Sequence, residues 1–294
     1  MADFEYTKRS GDRREGRLLR SLSPLQRLSP FLLRRRTEAI YTQSDSVEVT
    51  GLEQWLRLKR AEGWAGLGFL HLMIAAYVRT VGMRPAVNRF VAGRRFYARH
   101  EVQVVLNVKR STSPDTAPTS VKVSFSPSDT VFDVYRQISA AVDAVKADVA
   151  DSEPERFAKS LEKVPRPFVR ILAAVARFLD YFDWLPRNLL EASPFHGSVT
   201  VLDLGTLGIV PAECPLSDVG TVSCAVSFGA KRKVREVSAD GEWVERHYVD
   251  YCLSCDGRIA DSYYFASAAK CLKYFLKNPI HLELPPETVE DDVV

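Results

Sequence analysis

The sequence predicts an α/β fold, in which strands and helices follow one another along one chain. Two kinds of pattern and one junction support this prediction. Several segments alternate apolar and polar residues, as strands with one buried face do: residues 101–109, 119–125, 221–229 and 243–252. Residues 67–81 and 131–149 instead carry apolar residues at helical spacing. Residues 248–276 join a strand to a helix through a polar loop at Asp256-Gly257, and open sheets tend to bind ligands at such strand ends.

The composition fits an ordinary globular protein. Of the 294 residues, 46% are hydrophobic and 26% are charged, and a chain of this length buries a core without disulfides or metals. The five cysteines are an odd number without framework spacing, which favours free thiols in a reducing compartment and hence the cytoplasm. Cys252 and Cys255 have the spacing of half a zinc site, but no second pair completes four ligands, so we predict no metal.

The N-terminal arm, residues 1–33, is basic. Residues 1–36 carry ten basic and four acidic side chains. Residues 17–36 mix leucines with arginines, and we expect Pro24 and Pro30 to break this segment. One interpretation is attachment to an anionic membrane surface or an acidic partner. The alternative is an arm that packs its leucines on a neighbouring subunit and leaves its arginines solvated. Nucleic acid is disfavoured, because no aromatic residues are interleaved with the arginines.

The first half of the body follows an ordered set of elements. Residues 46–50 predict a strand and residues 52–62 a helix. Residues 67–81 predict a buried helix, since their apolar run ends at Arg79 and is shorter than the roughly 20 residues that span a bilayer. Pro85 ends this helix in a turn, where the Asn88 side chain can bond its own backbone. A polar loop at 110–118, a strand at 119–125 and a helix at 131–149 come next.

A helical insert, residues 151–192, separates the two halves. Residues 168–184 are apolar on more than one side, which is typical of a helix that is buried or that covers another surface. A lid or a membrane-facing patch is one interpretation. Packing on the sheet is favoured, because Arg170, Arg177 and Asp180 interrupt the apolar surface as they do on an ordinary packed helix.

Three segments resemble one known family. Asp256-Gly-Arg-Ile-Ala-Asp-Ser262 is similar to the motif Asp-His-Arg-x-x-Asp-Gly, Arg84–Phe90 is similar to a Pro-x-Val-Asn turn, and Ser193–Gly208 is similar to a strand that ends in Leu-Gly. Together they resemble the catalytic domain of the 2-oxoacid dehydrogenase acyltransferases and of chloramphenicol acetyltransferase. The resemblance implies the coenzyme A-dependent acyltransferase fold, a mixed sheet with flanking helices. It also implies a homotrimer, with coenzyme A or acyl-CoA as a ligand and no permanently bound cofactor.

The residues that carry chemistry in this family are altered here. Its histidine, which takes a proton from the thiol, is Gly257, while Asp256 and Arg258 are retained. The hydroxyl donor to the oxyanion is missing, because that position is Leu202 in one alignment and Glu191 in another. The resemblance gives Asp261 the role of a loop brace that pairs with Arg34, Arg35 or Arg36.

Two functions remain open. His196 and Ser198 are candidates for a substitute base and a ligand-binding hydroxyl, although a structural histidine and a strand serine are the more ordinary interpretation. The protein is either an acyltransferase with weak or altered chemistry or a non-catalytic relative that binds acyl-CoA or builds a scaffold. The resemblance covers residues 34–285, and residues 286–294 form an acidic tail.

Overall fold

The computed structural model describes residues 9–108, 119–147, 165–238 and 240–292. Its strands are β1 Gly16–Leu18, β2 Ile40–Glu48, β3 Arg89–Ala92, β4 Arg95–Arg99, β5 Val102–Val108, β6 Thr119–Phe125, β7 Val199–Asp203, β8 Cys224–Val237 and β9 Trp243–Asp256. Its helices are α1 Pro24–Leu32, α2 Thr50–Ala61, α3 Phe69–Met83, α4 Val131–Ala147, α5 Arg166–Tyr181, α6 Arg187–Ala192 and α7 Ser262–Lys277. The predicted loop at 110–118 and the beginning of the insert, at 151–164, lie outside the described residues.

A mixed six-stranded sheet forms the centre of the molecule, as predicted. Its strand order is β2-β9-β8-β7-β5-β6, and β7 runs parallel to both of its neighbours while the other pairs are antiparallel. Strand β9 pairs with β2 along its whole second half, from Tyr248 opposite Glu48 to Asp256 opposite Ile40. This register brings the end of β9, and with it Asp256, beside the segment that precedes β2.

Helix α3 is the buried helix that the sequence predicts. Every side chain from Leu72 to Gly82 is buried, and the helix packs against α4, α7 and β5. Arg79, which ends the apolar run, donates to the backbone carbonyls of His281 (2.9 Å) and Leu284 (2.7 Å). Within the described residues, no helix combines the length and the hydropathy needed to cross a bilayer.

His71, in the first turn of α3, makes stability depend on pH. Its Nδ1 accepts a hydrogen bond from the Gly68 backbone at 3.1 Å, and burial, with a smaller contribution from Arg60, lowers its pKa to about 4. The unfolded chain therefore binds this proton near pH 6.5, whereas the folded chain does not until about pH 4. The contribution of neutral His71 to the free energy of unfolding is therefore fully present above pH 6.5 and is lost as the pH falls towards 4. In urea unfolding, His71→Gln is expected to remove up to about 3 kcal/mol of this loss; an unchanged slope between pH 6.5 and 4 would contradict this.

The N-terminal arm is more structured than the sequence suggests. Residues 16–18 form β1, which pairs with β4 in a three-stranded sheet of order β1-β4-β3, and Leu19 and Leu22 are buried in the core. The sequence predicts a break at Pro30, but Pro30 lies inside α1 and is the buried residue of that helix. The β3-β4 hairpin turns at Gly93 and Arg94, which both have positive φ angles. Arg94 is a non-glycine residue in that region, and alternation alone did not indicate this hairpin.

Helix α5 of the insert is not packed in the way the sequence favoured. None of its residues is buried, and most of its large apolar side chains are exposed, with Phe168 62% exposed and Ile171 59% exposed. The residues that are partly covered are Val169, Ala176, Leu179 and Asp180. The expectation was wrong because periodicity shows that a helix has an apolar face but does not show which face the body covers.

Candidate functional site

Asp256 is the centre of a buried charge cluster at the end of β9. Its carboxylate is fully buried and accepts hydrogen bonds from the Arg258 guanidinium at 2.8 and 2.7 Å and from Arg36 Nε at 3.3 Å. The Arg258 backbone N–H also donates to Oδ1, at 3.1 Å. Burial lowers the pKa of Arg36, and the neighbouring Asp256 opposes that shift. One carboxylate thus satisfies two buried arginines.

The cluster joins three segments that are distant in sequence. Arg36 donates to the carbonyl of Gly220 at 2.9 Å and to that of Ser217. Arg258 reaches the carbonyls of Leu33 and Arg34, both at 3.4 Å. The loop after β9, the segment before β2 and the loop at 217–220 are therefore held together by one set of ion pairs and hydrogen bonds.

The arginine brace forms at Asp256 and not at Asp261. Of the three arginines that the sequence left open, Arg36 is the partner, while Arg34 and Arg35 are exposed. Asp261 instead caps α7, since its Oδ1 accepts from the backbone N–H of Tyr264 at 2.7 Å. The local signal for this role was present, because an aspartate directly before a helix is a preferred N-cap.

Gly257, at the position of the family's histidine, is held against the backbone of another segment. Its N–H donates to the Ala39 carbonyl at 2.7 Å, and a Cβ at this position would lie 2.7 Å from that same oxygen. A carbon–oxygen contact of 2.7 Å is shorter than van der Waals separation, so a side chain here requires the backbone to move. The Ala39 carbonyl therefore occupies the space that the first atom of the missing side chain would need.

Gly257→Ala is expected to lower the free energy of unfolding by about 1–3 kcal/mol, because the new methyl group overlaps the Ala39 carbonyl. Gly257→His is expected to cost at least as much and to confer no acetyl transfer. The matched control is Gly51→Ala in α2, where an added Cβ meets nothing within 4 Å. Urea unfolding measures both changes; a Gly257→Ala protein as stable as the control would show that the loop opens freely.

His196 and Ser198 lie in the loop that leads into β7, and both are engaged. His196 is buried, its Nδ1 lies 2.8 Å from Ser193 Oγ, and its Nε2 lies 3.4 Å from Asp180 Oδ1. Burial alone would raise the pKa of Asp180, but His196 and Arg13 hold it below its usual value. Ser198 Oγ accepts from the Gln103 backbone at 2.9 Å and so joins β7 to β5. These contacts anchor α5 and β7 and leave neither ring nitrogen of His196 unpartnered.

Leu202 and Asn88 complete the predicted set. Leu202 lies on β7 opposite Ser227, whose buried hydroxyl donates to the Ala212 carbonyl. The predicted hydrogen bond between the Asn88 side chain and the backbone of its own turn does not form. Its Nδ2 donates to the Glu101 carbonyl at 3.1 Å, because the turn places it beside the start of β5.

An arginine-rich cleft of about 530 Å³ opens beside the Asp256 cluster. Its described lining includes the side chains of Arg34, Arg35, Arg36, Arg94, Arg177 and Arg258. Two carboxylates face the same space: Asp180, which is bound to Arg13 and His196, and Asp218, which contacts Thr37. The cleft is therefore electropositive and suited to an anionic ligand. Apart from the run at 34–36, sequence offered no signal for it, because its arginines come from four separate segments.

Solved structures of known proteins are similar to this chain in fold, at low sequence identity. The chain is similar to a probable dihydrolipoamide acetyltransferase from Listeria monocytogenes, with a TM-score of 0.56 at 14% identity over 88% of this chain and 93% of that one. It is similar to the dihydrolipoamide acetyltransferase of Azotobacter vinelandii, with a TM-score of 0.55 at 16% identity over 96% of each chain. It is also similar to a chloramphenicol acetyltransferase, with a TM-score of 0.56 at 10% identity over 89% and 100%.

The chain has the chloramphenicol acetyltransferase-like fold. This confirms the fold predicted from the three sequence segments. No protein-family model matches the sequence, and no curated protein sequence matches it. The Azotobacter structure was determined to examine the roles of a serine, a histidine and an asparagine in the catalytic mechanism of that enzyme. In the part of this chain that the structure describes, no three His, Cys, Asp or Glu side chains are grouped in a way that could hold a metal ion.

Proposed function

We propose that this protein binds coenzyme A or an acyl-CoA without the thiol activation used by transferases of the same fold. The observation that carries the proposal is the 2.7 Å separation between a Cβ at Gly257 and the Ala39 carbonyl, which leaves no room for a base. His196 gives no replacement, since both its ring nitrogens are engaged by Ser193 and Asp180. General-base assistance contributes roughly 100- to 10,000-fold to such reactions, so its loss leaves little transfer.

The arginine-rich cleft supports the choice of ligand. Coenzyme A carries a pyrophosphate and a 3′-phosphate, and guanidinium groups bind phosphate through bidentate, charge-assisted hydrogen bonds. Arg94, in the β3-β4 hairpin, and Arg177, in α5, are exposed and line the cleft. Arg36 and Arg258 are already bound to Asp256, and their role is to hold the cleft in shape.

Titration calorimetry with coenzyme A tests this binding. The wild-type protein is expected to bind, and Arg94→Glu with Arg177→Glu is expected to weaken binding by at least about tenfold, because two charge-assisted contacts are replaced by repulsion. Arg170→Glu is the matched control, an exposed arginine of the same helix outside the cleft lining. Absence of binding by the wild-type protein, or equal loss in the control, would overturn the proposal.

The rival function is acyl transfer with altered chemistry. Incubation with labelled acetyl-CoA and a series of thiol, hydroxyl and amine acceptors decides between the two. Bound ligand without turnover supports the proposal made here. Turnover that disappears in His196→Ala would overturn it and would identify an acyltransferase with a substitute base.

The assembly and the compartment are part of the same proposal. The fold resemblance predicts a homotrimer, which light scattering after size-exclusion chromatography measures directly. The five thiols favour a reducing compartment, the cytoplasm. If the protein is monomeric and still binds coenzyme A, the proposed trimer is wrong and the proposed ligand is retained.

A further inference from the structure

Two helices of this protein present apolar faces to solvent. In α5 the exposed side chains are Phe168, Ile171, Leu172, Val175 and Phe178, and Phe182 follows directly after the helix. In α1 they are Leu25, Leu28, Phe31 and Leu32. On an α-helix these positions lie along one side in each case, since they are spaced by three and four residues. We call the two sets together the apolar face.

The part of the protein that the structure describes leaves most of the apolar side of α5 exposed. The positions that the body partly covers are Val169, Ala176, Leu179 and Asp180, and Asp180 is fixed there by Arg13 at 3.1 Å. A helix that packed on its own domain would bury its large side chains and expose its polar ones. Here six large apolar side chains stay 42–62% exposed, and a continuous exposed apolar surface of this kind marks an interaction site.

The two helices border the same cleft. Pro30 of α1 and Arg177 and Tyr181 of α5 line the same cleft, and the Arg94 guanidinium lies 5.4 Å from the ring centre of Phe31. Next to the end of α5, the rings of Phe182 and Trp184 stack at 5.2 Å, with Trp184 62% exposed. A tryptophan at the margin of an apolar surface is suited to the boundary between hydrocarbon and water.

The charges around the apolar face identify its occupant. The ionisable side chains of α1 and α5 are Arg27, Arg166, Arg170, Arg177 and Asp180, and the aspartate is tied to Arg13 on the covered side. The four arginines are exposed. An amphipathic helix with an aromatic and aliphatic face and only basic residues towards water is typical of a segment that lies in the plane of an anionic bilayer.

We propose that the apolar face binds the surface of a membrane rich in anionic lipid. Helices α1 and α5 lie at the boundary of the acyl chains, Trp184 sits at the level of the headgroups, and Arg27, Arg166 and Arg170, which lie outside the cleft lining, contact lipid phosphates. The proposal extends the sequence-based interpretation of the N-terminal arm, because it places the larger apolar contribution on α5 of the insert. It does not depend on coenzyme A binding.

Co-sedimentation with lipid vesicles tests the proposal. The full-length protein is expected to sediment with vesicles of phosphatidylglycerol and phosphatidylcholine, to do so less at high salt, and to stay in solution with phosphatidylcholine alone. Ile171→Glu with Phe178→Glu is expected to weaken binding by at least about tenfold, since each change removes a large apolar side chain from the interface. A blue shift of fluorescence on binding is expected to diminish in Trp184→Phe.

Val210→Glu is the matched control, because Val210 is 75% exposed and lies outside both helices. It is expected to bind vesicles like the wild-type protein, and urea unfolding checks that all variants fold. No sedimentation with anionic vesicles would overturn the proposal. If the wild-type protein did not bind vesicles and the Ile171→Glu, Phe178→Glu variant changed from an oligomer to a monomer, the proposal would also be overturned. The apolar face would then be covered by a second copy of this chain. Coenzyme A titration of the same variant separates this proposal from the ligand proposal, because neither residue lines the cleft.

Discussion

Asp256→Ala is expected to lower the free energy of unfolding by about 3–5 kcal/mol, because it leaves two arginine side chains buried without a counter-charge. Arg36 and Arg258 have side chains that are 3% and 5% exposed, and the Asp256 carboxylate is completely inaccessible. The penalty arises from the charges that remain and not from the loss of one attractive pair. Asp256→Asn is expected to cost a large part of this amount, since it keeps the shape of the side chain but not its charge.

Urea unfolding followed by circular dichroism measures the change. Asp218→Ala is the matched control: Asp218 is exposed, lines the same cleft and contacts Thr37, so its removal is expected to cost about 1 kcal/mol or less. A value for Asp256→Ala no larger than that of the control would mean that water reaches the cluster. In that case the brace between β9, the segment before β2 and the loop at 217–220 would be marginal.

The Asp256 cluster also explains what the sequence could and could not predict about the site. The motif Asp-x-Arg at 256–258 indicated a polar strand end, and the structure places it there. The choice of Arg36 among three consecutive arginines depends on which side chain the turn before β2 directs inward, and composition carries no such information. Asp261 was assigned the brace by resemblance, although its position directly before α7 gives it a capping role.

The fold itself was largely predictable, because its strands and helices have strong local patterns. Strand β6 begins and ends where alternation indicated, and α3 is the buried helix that its apolar run indicated. Strand β2 begins at Ile40, earlier than expected, because its pairing with β9 and not its own alternation defines its length. The exposure of α5 was missed for a related reason, since the identity of the covered face is a tertiary property.

The closure at Gly257 had no sequence signal either. The replacement of histidine by glycine is visible in the sequence, but the reason that glycine is required is the approach of the Ala39 carbonyl, more than 200 positions earlier. Sequence alone therefore shows that the histidine is absent, but not whether a side chain would fit at this position. In the structure a Cβ at position 257 would lie 2.7 Å from the Ala39 carbonyl oxygen, so a side chain does not fit there unless the backbone moves.

The acidic tail supplies the second large effect. Asp292 is buried and forms a bidentate ion pair with Arg89, with Nε 2.7 Å from Oδ2, and its carbonyl accepts from Arg17 at 2.6 Å. Arg89 also reaches the carbonyl of Ile259 at 3.4 Å, within the loop that follows Asp256. The tail thus connects β3 to the loop at residues 257–261, which we call the motif loop. Its composition predicts only a solvated acidic segment.

Asp292→Ala is therefore expected to lower the free energy of unfolding by about 3 kcal/mol, since Arg89 is left buried without its carboxylate. The neighbouring Asp291 is exposed, so Asp291→Ala changes the same net charge at almost the same place and is expected to have an effect of about 0.5 kcal/mol or less. Urea unfolding of the two variants side by side separates burial from net charge. Equal stability of the two would show that the tail detaches at little cost, whereas the expected difference would make residues 286–292 part of the core that holds the motif loop in place.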